Sequence, residues 1–133
     1  MAFKVVKLKI AFAIFLTLCY RIPAASGLTQ GVFMKASVAI QVLPKADSDE
    51  ELCRIVDEVI AYIKSTGLNY FVGPCETAFE GDDYDQLMEI VKNCQLVAIK
   101  AGAPSVSAYV KIGYRPNGEV LSIEKKTKKF HEK

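Results

Sequence analysis

From Ala36 the chain alternates, with Ala36, Val38, Ile40 and Val42 on one side and Ser37, Ala39, Gln41 and Leu43 on the other. A period of two predicts a strand over Ala36–Pro44, apolar on one face and small or polar on the other. The pattern then changes. Ser48, followed three positions later by Glu51, reads as a capping box, and Asp49 and Glu50 suit the positive end of a helix dipole. Leu52, Ile55, Val56, Val59, Ile60 and Ile63 recur at helical spacing, and Gly67 is the expected stop. Residues 69–72 and 77–80 read as one second strand interrupted by Gly73-Pro74, a pair that implies an edge, a bulge or a bend.

Gly81-Asp82-Asp83 opens a second helix whose apolar face carries Leu87, Ile90, Val91, Cys94 and Val97 and which ends near Gly102. Val106, Ala108, Val110 and Ile112 oppose Ser107, Tyr109 and Lys111, a third alternating strand. Arg115-Pro116-Asn117-Gly118 carries an Asn-Gly hairpin signal, so residues 120–123 are expected to form a short fourth strand. The remaining tail has room for one or two polar helical turns.

This succession is the split β-α-β unit repeated. It predicts an α+β, ferredoxin-like sandwich (βαββαβ), a four-stranded antiparallel sheet with two helices on one face. The other sheet face would present Ser37, Ala39, Gln41, Ser107, Tyr109 and Lys111. That face is too apolar in places to stay bare, so homo-oligomerisation through it or through the sheet edges is expected.

Charge separates the first 33 residues from the rest. The chain of 133 residues has 17 Lys and Arg against 15 Asp and Glu; four of the basic residues and none of the acidic ones precede Met34. The remainder, residues 34–133, therefore carries a net charge of −2 rather than +2, and the basic balance says nothing of nucleic acid. Residues 1–33 read as a leader with an apolar run over residues 10–20. A secretory signal ending near Ala24-Ala25-Ser26-Gly27 is one reading. A membrane span is another, with too short an apolar run to convince. The third is an over-extended gene start, with Met34 as the true first residue. Of the four cysteines, Cys19 lies in the leader. Cys53, Cys75 and Cys94 match no metal or redox spacing, and Cys53 and Cys94 fall on helical apolar patterns as core thiols. An odd set of cysteines favours a reducing compartment, hence a cytoplasmic location, with export the alternative if the leader is a signal.

Enzyme motifs are absent. There is no Gly-x-Gly-x-x-Gly, Walker loop, His-Glu-x-x-His or Gly-x-Ser-x-Gly, and the one histidine, His131, sits in a charged tail with Lys125, Lys126, Lys128 and Lys129. No catalytic residue, metal site, cofactor, nucleic-acid partner or membrane contact is expected for residues 34–133. Asp82, Asp83 and Asp85 sit where helix capping accounts for them. A binding face remains. Gln41 offers a donor and an acceptor and Thr77 a hydroxyl; Glu76 and Glu80 add negative charge, and Tyr70, Phe79 and Tyr109 add rings. A planar, nitrogen-rich, cationic ligand suits these groups. The alternative is that Gln41 and Thr77 are ordinary strand residues at a subunit contact.

Four segments carry a resemblance: Ser37-Val38-Ala39-Ile40-Gln41-Val42-Leu43-Pro44, Gly73-Pro74-Cys75-Glu76-Thr77-Ala78-Phe79-Glu80-Gly81, Asp83-Tyr84-Asp85-Gln86-Leu87-Met88 and Val110-Lys111-Ile112-Gly113-Tyr114-Arg115. In order and spacing they resemble the thiamine-binding protein family, the YkoF-like group formerly described only as uncharacterised and conserved. The resemblance implies a ferredoxin-like fold and dimers that assemble into tetramers. It also implies non-catalytic binding of thiamine (vitamin B1) or its hydroxymethyl-pyrimidine half near a subunit contact, as carrier, buffer or salvage component. By analogy Gln41 and Thr77 would read the aminopyrimidine, with Ser37, Glu76 and Tyr109 nearby. Glu76 stands where the family usually has a small or amide residue, and Gly113 where an acidic residue is common. Two other functions stay open: a pyrimidine or thiazole salvage enzyme using Glu76 or Glu80 as base, and a structural oligomerisation module with a vestigial pocket.

Overall fold

The computed structural model describes residues 33–132. The leader readings and Cys19 lie outside them. The elements run β1 (Ala36–Pro44), α1 (Asp49–Ser65), β2 (Asn69–Val72), β3 (Thr77–Gly81), α2 (Tyr84–Lys100), β4 (Val106–Tyr114) and α3 (Ile123–His131). The sheet order is β2-β3-β1-β4, and every neighbouring pair is antiparallel. This is the expected α+β ferredoxin-like arrangement, extended by a third helix.

Alternation along β1 builds the core. Ala36, Val38 and Ile40 are buried, and across the sheet Val38 pairs with Phe79 on one side and Ile112 on the other. Onto that face pack Ile55, Val59 and Ile63 of α1 and Leu87, Ile90, Cys94 and Ala98 of α2, each set one stripe of its helix. Cys53 faces solvent instead of the core. It precedes the buried stripe by two positions, which on a helix is a turn of about 200° away from it.

Helix starts follow their caps. Ser48 Oγ accepts the Glu51 N–H at 3.2 Å, and an Asp83 carboxylate oxygen accepts the Gln86 N–H at 3.1 Å. The Glu51 carboxylate turns to Arg54, with contacts of 2.6 and 2.8 Å, and the same guanidinium donates to the Ala101 carbonyl at 2.6 Å. Arg54 thereby ties the first turns of α1 to the end of α2. Its hydrogen bonds hold the Glu51 carboxyl below the usual carboxylate range. Gly67, with φ +74°, and Gly102, with φ +117°, end the two helices in a backbone region other residues resist.

Two strand assignments are corrected. Residues 69–72 and 77–80 are not one interrupted strand. They belong to β2 and β3, which pair with each other as a hairpin, Val72 opposite Thr77. Gly73 N–H donates to the Glu76 carbonyl at 2.9 Å and closes the turn, leaving Pro74 and Cys75 at its corner. Proline's fixed φ and missing N–H suit such a corner. Residues 120–123 are not a strand either. The chain turns through Gly118 N–H to the Arg115 carbonyl at 3.3 Å, and Val120 N–H donates to Met34 at 2.9 Å. Ser122 then caps α3 by accepting the Lys125 N–H at 3.3 Å. Its hydroxyl favours a helix start over a further strand pairing.

The sheet face opposite α1 and α2 is not bare. Over its β2–β3 half lies α3. Glu80, only 1% exposed, accepts the backbone N–H of Ile123 at 2.8 Å and the Asn69 side-chain amide at 2.6 Å. His131, near the other end of α3, sits with its ring 5.5 Å from that of Phe71. The β1–β4 half stays open, with Leu43 and Tyr109 exposed.

Candidate functional site

Strand parity assembles the site. Ser37 and Ala39 of β1, Ala78 of β3 and Lys111 and Gly113 of β4 share the face that α3 partly covers. Lys111 is opposite Ala39, and Ala39 is opposite Ala78. Ser37, two alanines and a glycine make a low floor. Phe71 from β2 and Ile123, Lys126 and Thr127 from α3 border it, leaving an open cavity of about 400 Å³. Gly113 is part of that relief, because a Cβ there would sit 3.2 Å from Ser37 Oγ.

One ion pair crosses the mouth. Glu76, at the end of the β2–β3 turn, holds Lys111 Nζ at 2.7 Å, and both line the cavity. Continued one residue past the last β1–β3 pair, the register sets Glu76 across from Gln41. Gln41 in turn is opposite Tyr109 of β4, which is 69% exposed. A carboxylate, an ammonium, an amide and a phenol thus lie along one face within adjoining rows.

Of the five residues expected at a site, the structure brings four to this face. Ser37 and Glu76 line the cavity; Gln41 and Tyr109 occupy the next row. Thr77 is the exception. It pairs with Ile40, shares the side of Phe79 and is 7% exposed, so it faces the helices and not the cavity. Adjacent strand residues point to opposite faces, and Glu76 and Thr77 cannot share one. Glu80 has both carboxylate oxygens engaged in holding α3 and Asn69. Lys111, Phe71, Lys126 and Thr127 are the lining residues that sequence reasoning passed over. Parity already put Lys111 on this face, whereas the α3 residues become visible only once the tail is seen folded back.

A low sheet-face cavity with one carboxylate, two ammonium groups and one aromatic wall thus lies on a domain of ferredoxin-like build. Residues 38–131 match the family model described as thiamine-binding protein, and the chain belongs to that family. It is 43% identical over 94 residues to a UPF0045 protein of Clostridium perfringens, across 71% of this chain and 95% of the relative. A Streptococcus pneumoniae protein of known structure is 41% identical with a TM-score of 0.61, covering 71% of this chain and 99% of that one. A Thermotoga maritima structure, named as a candidate thiamine biosynthesis/salvage protein, is 30% identical with a TM-score of 0.62, over 72% and 98% of the two chains.

Proposed function

We propose that the chain binds thiamine or its hydroxymethyl-pyrimidine moiety, with no bond made or broken, in the cavity between the sheet and α3. Membership of the family supports a thiamine-related role. The observation that carries the finer reading is Glu76 at the cavity mouth, half-exposed and paired only with a flexible lysine. Thiamine joins a cationic thiazolium to a neutral aminopyrimidine. A carboxylate offsets the cation, and the ring of Phe71 gives the heterocycle an aromatic wall. Ser37 and Gln41 offer the hydroxyl and amide that ring nitrogens and an exocyclic amine need.

The open β1–β4 half continues from the cavity to the exposed Leu43 and Tyr109. A second copy seated there would cover both and place the ligand near a subunit contact, in a homodimer or homotetramer. The free thiols of Cys53, Cys75 and Cys94 suit a reducing compartment, consistent with action in the cytoplasm as carrier, buffer or salvage component.

Titration calorimetry of the full chain with thiamine, hydroxymethyl-pyrimidine and thiamine diphosphate tests the reading. Saturable heat with thiamine or the pyrimidine is expected, with the ligand recovered unchanged by mass spectrometry. Absence of heat with all three defeats it, and a chemically altered ligand would make the protein an enzyme.

A further inference from the structure

The Glu76–Lys111 pair differs in kind from the chain's other carboxylate on this face. Glu80 is buried and both of its oxygens accept hydrogen bonds, from a backbone N–H and from the Asn69 amide. Glu76 is held through Oε1 by a lysine whose side chain is 71% exposed, while its own side chain is 37% exposed. Exposed ion pairs of this sort contribute little and open readily.

The route of the lysine matters as much as its charge. Lys111 sits on β4 opposite Ala39, and Glu76 leads into β3, on the far side of β1. Strands are about 4.8 Å apart, so a 2.7 Å contact requires the Lys111 stem to cross β1 above the alanine floor. A ring lowered onto that floor therefore meets the stem. A ring that extends over the alanines, beyond the space the pair already leaves open, moves Lys111 aside and parts it from Glu76.

We propose that Lys111 is a tethered cation occupying the place of the ligand's positive charge, so that the Glu76–Lys111 pair sets the preference of the cavity for cationic over neutral ring ligands. This rests on the ligand reading given above. A cationic ligand that evicts Lys111 supplies the lost charge itself, and the carboxylate is never left uncompensated. A neutral ligand evicts the same lysine and leaves the Glu76 carboxylate unpaired in a partly enclosed site, which is unfavourable. The lysine thus competes with either ligand, and the carboxylate it leaves behind sets the preference between them.

The experiment compares full-length wild type with Lys111→Met and Glu76→Gln, titrating thiamine (cationic) and hydroxymethyl-pyrimidine (neutral) in calorimetry at low and moderate salt. Both positions are surface-exposed, and thermal melts check that the variants stay folded. Lys111→Met removes the competitor and should tighten thiamine by roughly two- to fivefold, the range of an exposed pair. Its thiamine affinity should also become more salt-dependent, because an unoccupied carboxylate attracts the cation through screened solvent. Glu76→Gln should lower the ratio of thiamine to pyrimidine affinity by at least a comparable factor. Lys111→Met binding neither ligand more tightly than wild type, with thiamine still bound, overturns the displacement while leaving the ligand reading intact. No heat from any protein with either ligand overturns both.

Discussion

Glu80 Oε2 accepts the backbone N–H of Ile123 at 2.8 Å, joining the third strand of the sheet to the first turn of the C-terminal helix. The carboxylate lies at the helix N-terminus, where its charge complements the dipole. This contact, with Asn69 on the other oxygen, is what seats α3 on the sheet and gives the cavity its roof.

Removing that carboxylate should loosen the helix first. Glu80→Ala leaves the buried Ile123 N–H unpaired and releases the exposed Asn69 amide, at a cost of about 2 kcal/mol for the loss of a charged acceptor. Hydrogen exchange should speed up across α3 (Ile123–His131) before it does in β1, and urea unfolding should move to lower denaturant. Glu80→Gln, which keeps one acceptor oxygen, should lose less. Equal protection of α3 in wild type and Glu80→Ala would mean the helix is held by other contacts.

Thr77→Val should leave thiamine affinity within about twofold of wild type, whereas Ser37→Ala and Glu76→Gln should weaken it by more than one net hydrogen bond implies, a factor of roughly five. Thr77 faces the helix side beside Ile40, and Ser37 and Glu76 line the cavity. Calorimetry of the three variants side by side checks the order. A Thr77→Val loss as large as that of Glu76→Gln would move the site to the other face of the sheet.

That contrast shows where local pattern stops. Alternation in β1 and β4 was enough to place Ser37, Gln41, Tyr109 and Lys111 on one face, because a period of two allows no other outcome. Caps at Ser48 and Asp83 and the glycines at 67 and 102 likewise bounded α1 and α2 through chemistry that acts within a few residues. Thr77 departs from the expected face because a single-residue step flips a side chain across the sheet. The hairpin over residues 69–81 is not legible locally, because alternation does not say whether two short runs continue or fold back on each other. Residues 120–123 hold only a few apolar positions, and the Ser122 cap outweighed them. The roof over the site, finally, depends on Glu80 meeting Ile123 across 43 residues of chain, a pairing no local pattern encodes.

Gly113→Val should abolish most ligand binding while leaving the fold intact. A Cβ at that position already approaches Ser37 Oγ to 3.2 Å and Val120 Cγ1 to 3.9 Å, and the two further methyl carbons of valine would stand up from the cavity floor. Gly113 does not have positive φ, so its backbone tolerates a β-branched residue, and strand propensity favours one. Affinity for thiamine should fall about tenfold or more with a melting temperature within a few degrees of wild type. Undiminished affinity would place the ligand away from this floor.

Cys94 provides a test of the core through pH. It is fully buried in the α2 stripe, and burial pushes its thiol from 9.0 up to about 12. Below about pH 9 the thiol is protonated in both folded and unfolded chains and stability does not depend on it. Between about 9 and about 12 the unfolded chain loses the proton and the folded one keeps it, so the folded state binds more protons and stability falls as pH rises. Above that window the dependence levels off. The comparison that isolates the thiol is Cys94→Ala: its urea midpoint should start lower, because a cavity replaces the sulfur, and decline less between about pH 8 and about pH 10.5. At neutral pH a thiol reagent should label the exposed Cys53 and Cys75 promptly in the native protein. Cys94 should react only at the rate of unfolding; prompt labelling there would mean that α2 opens locally, and the pH argument would fail with it.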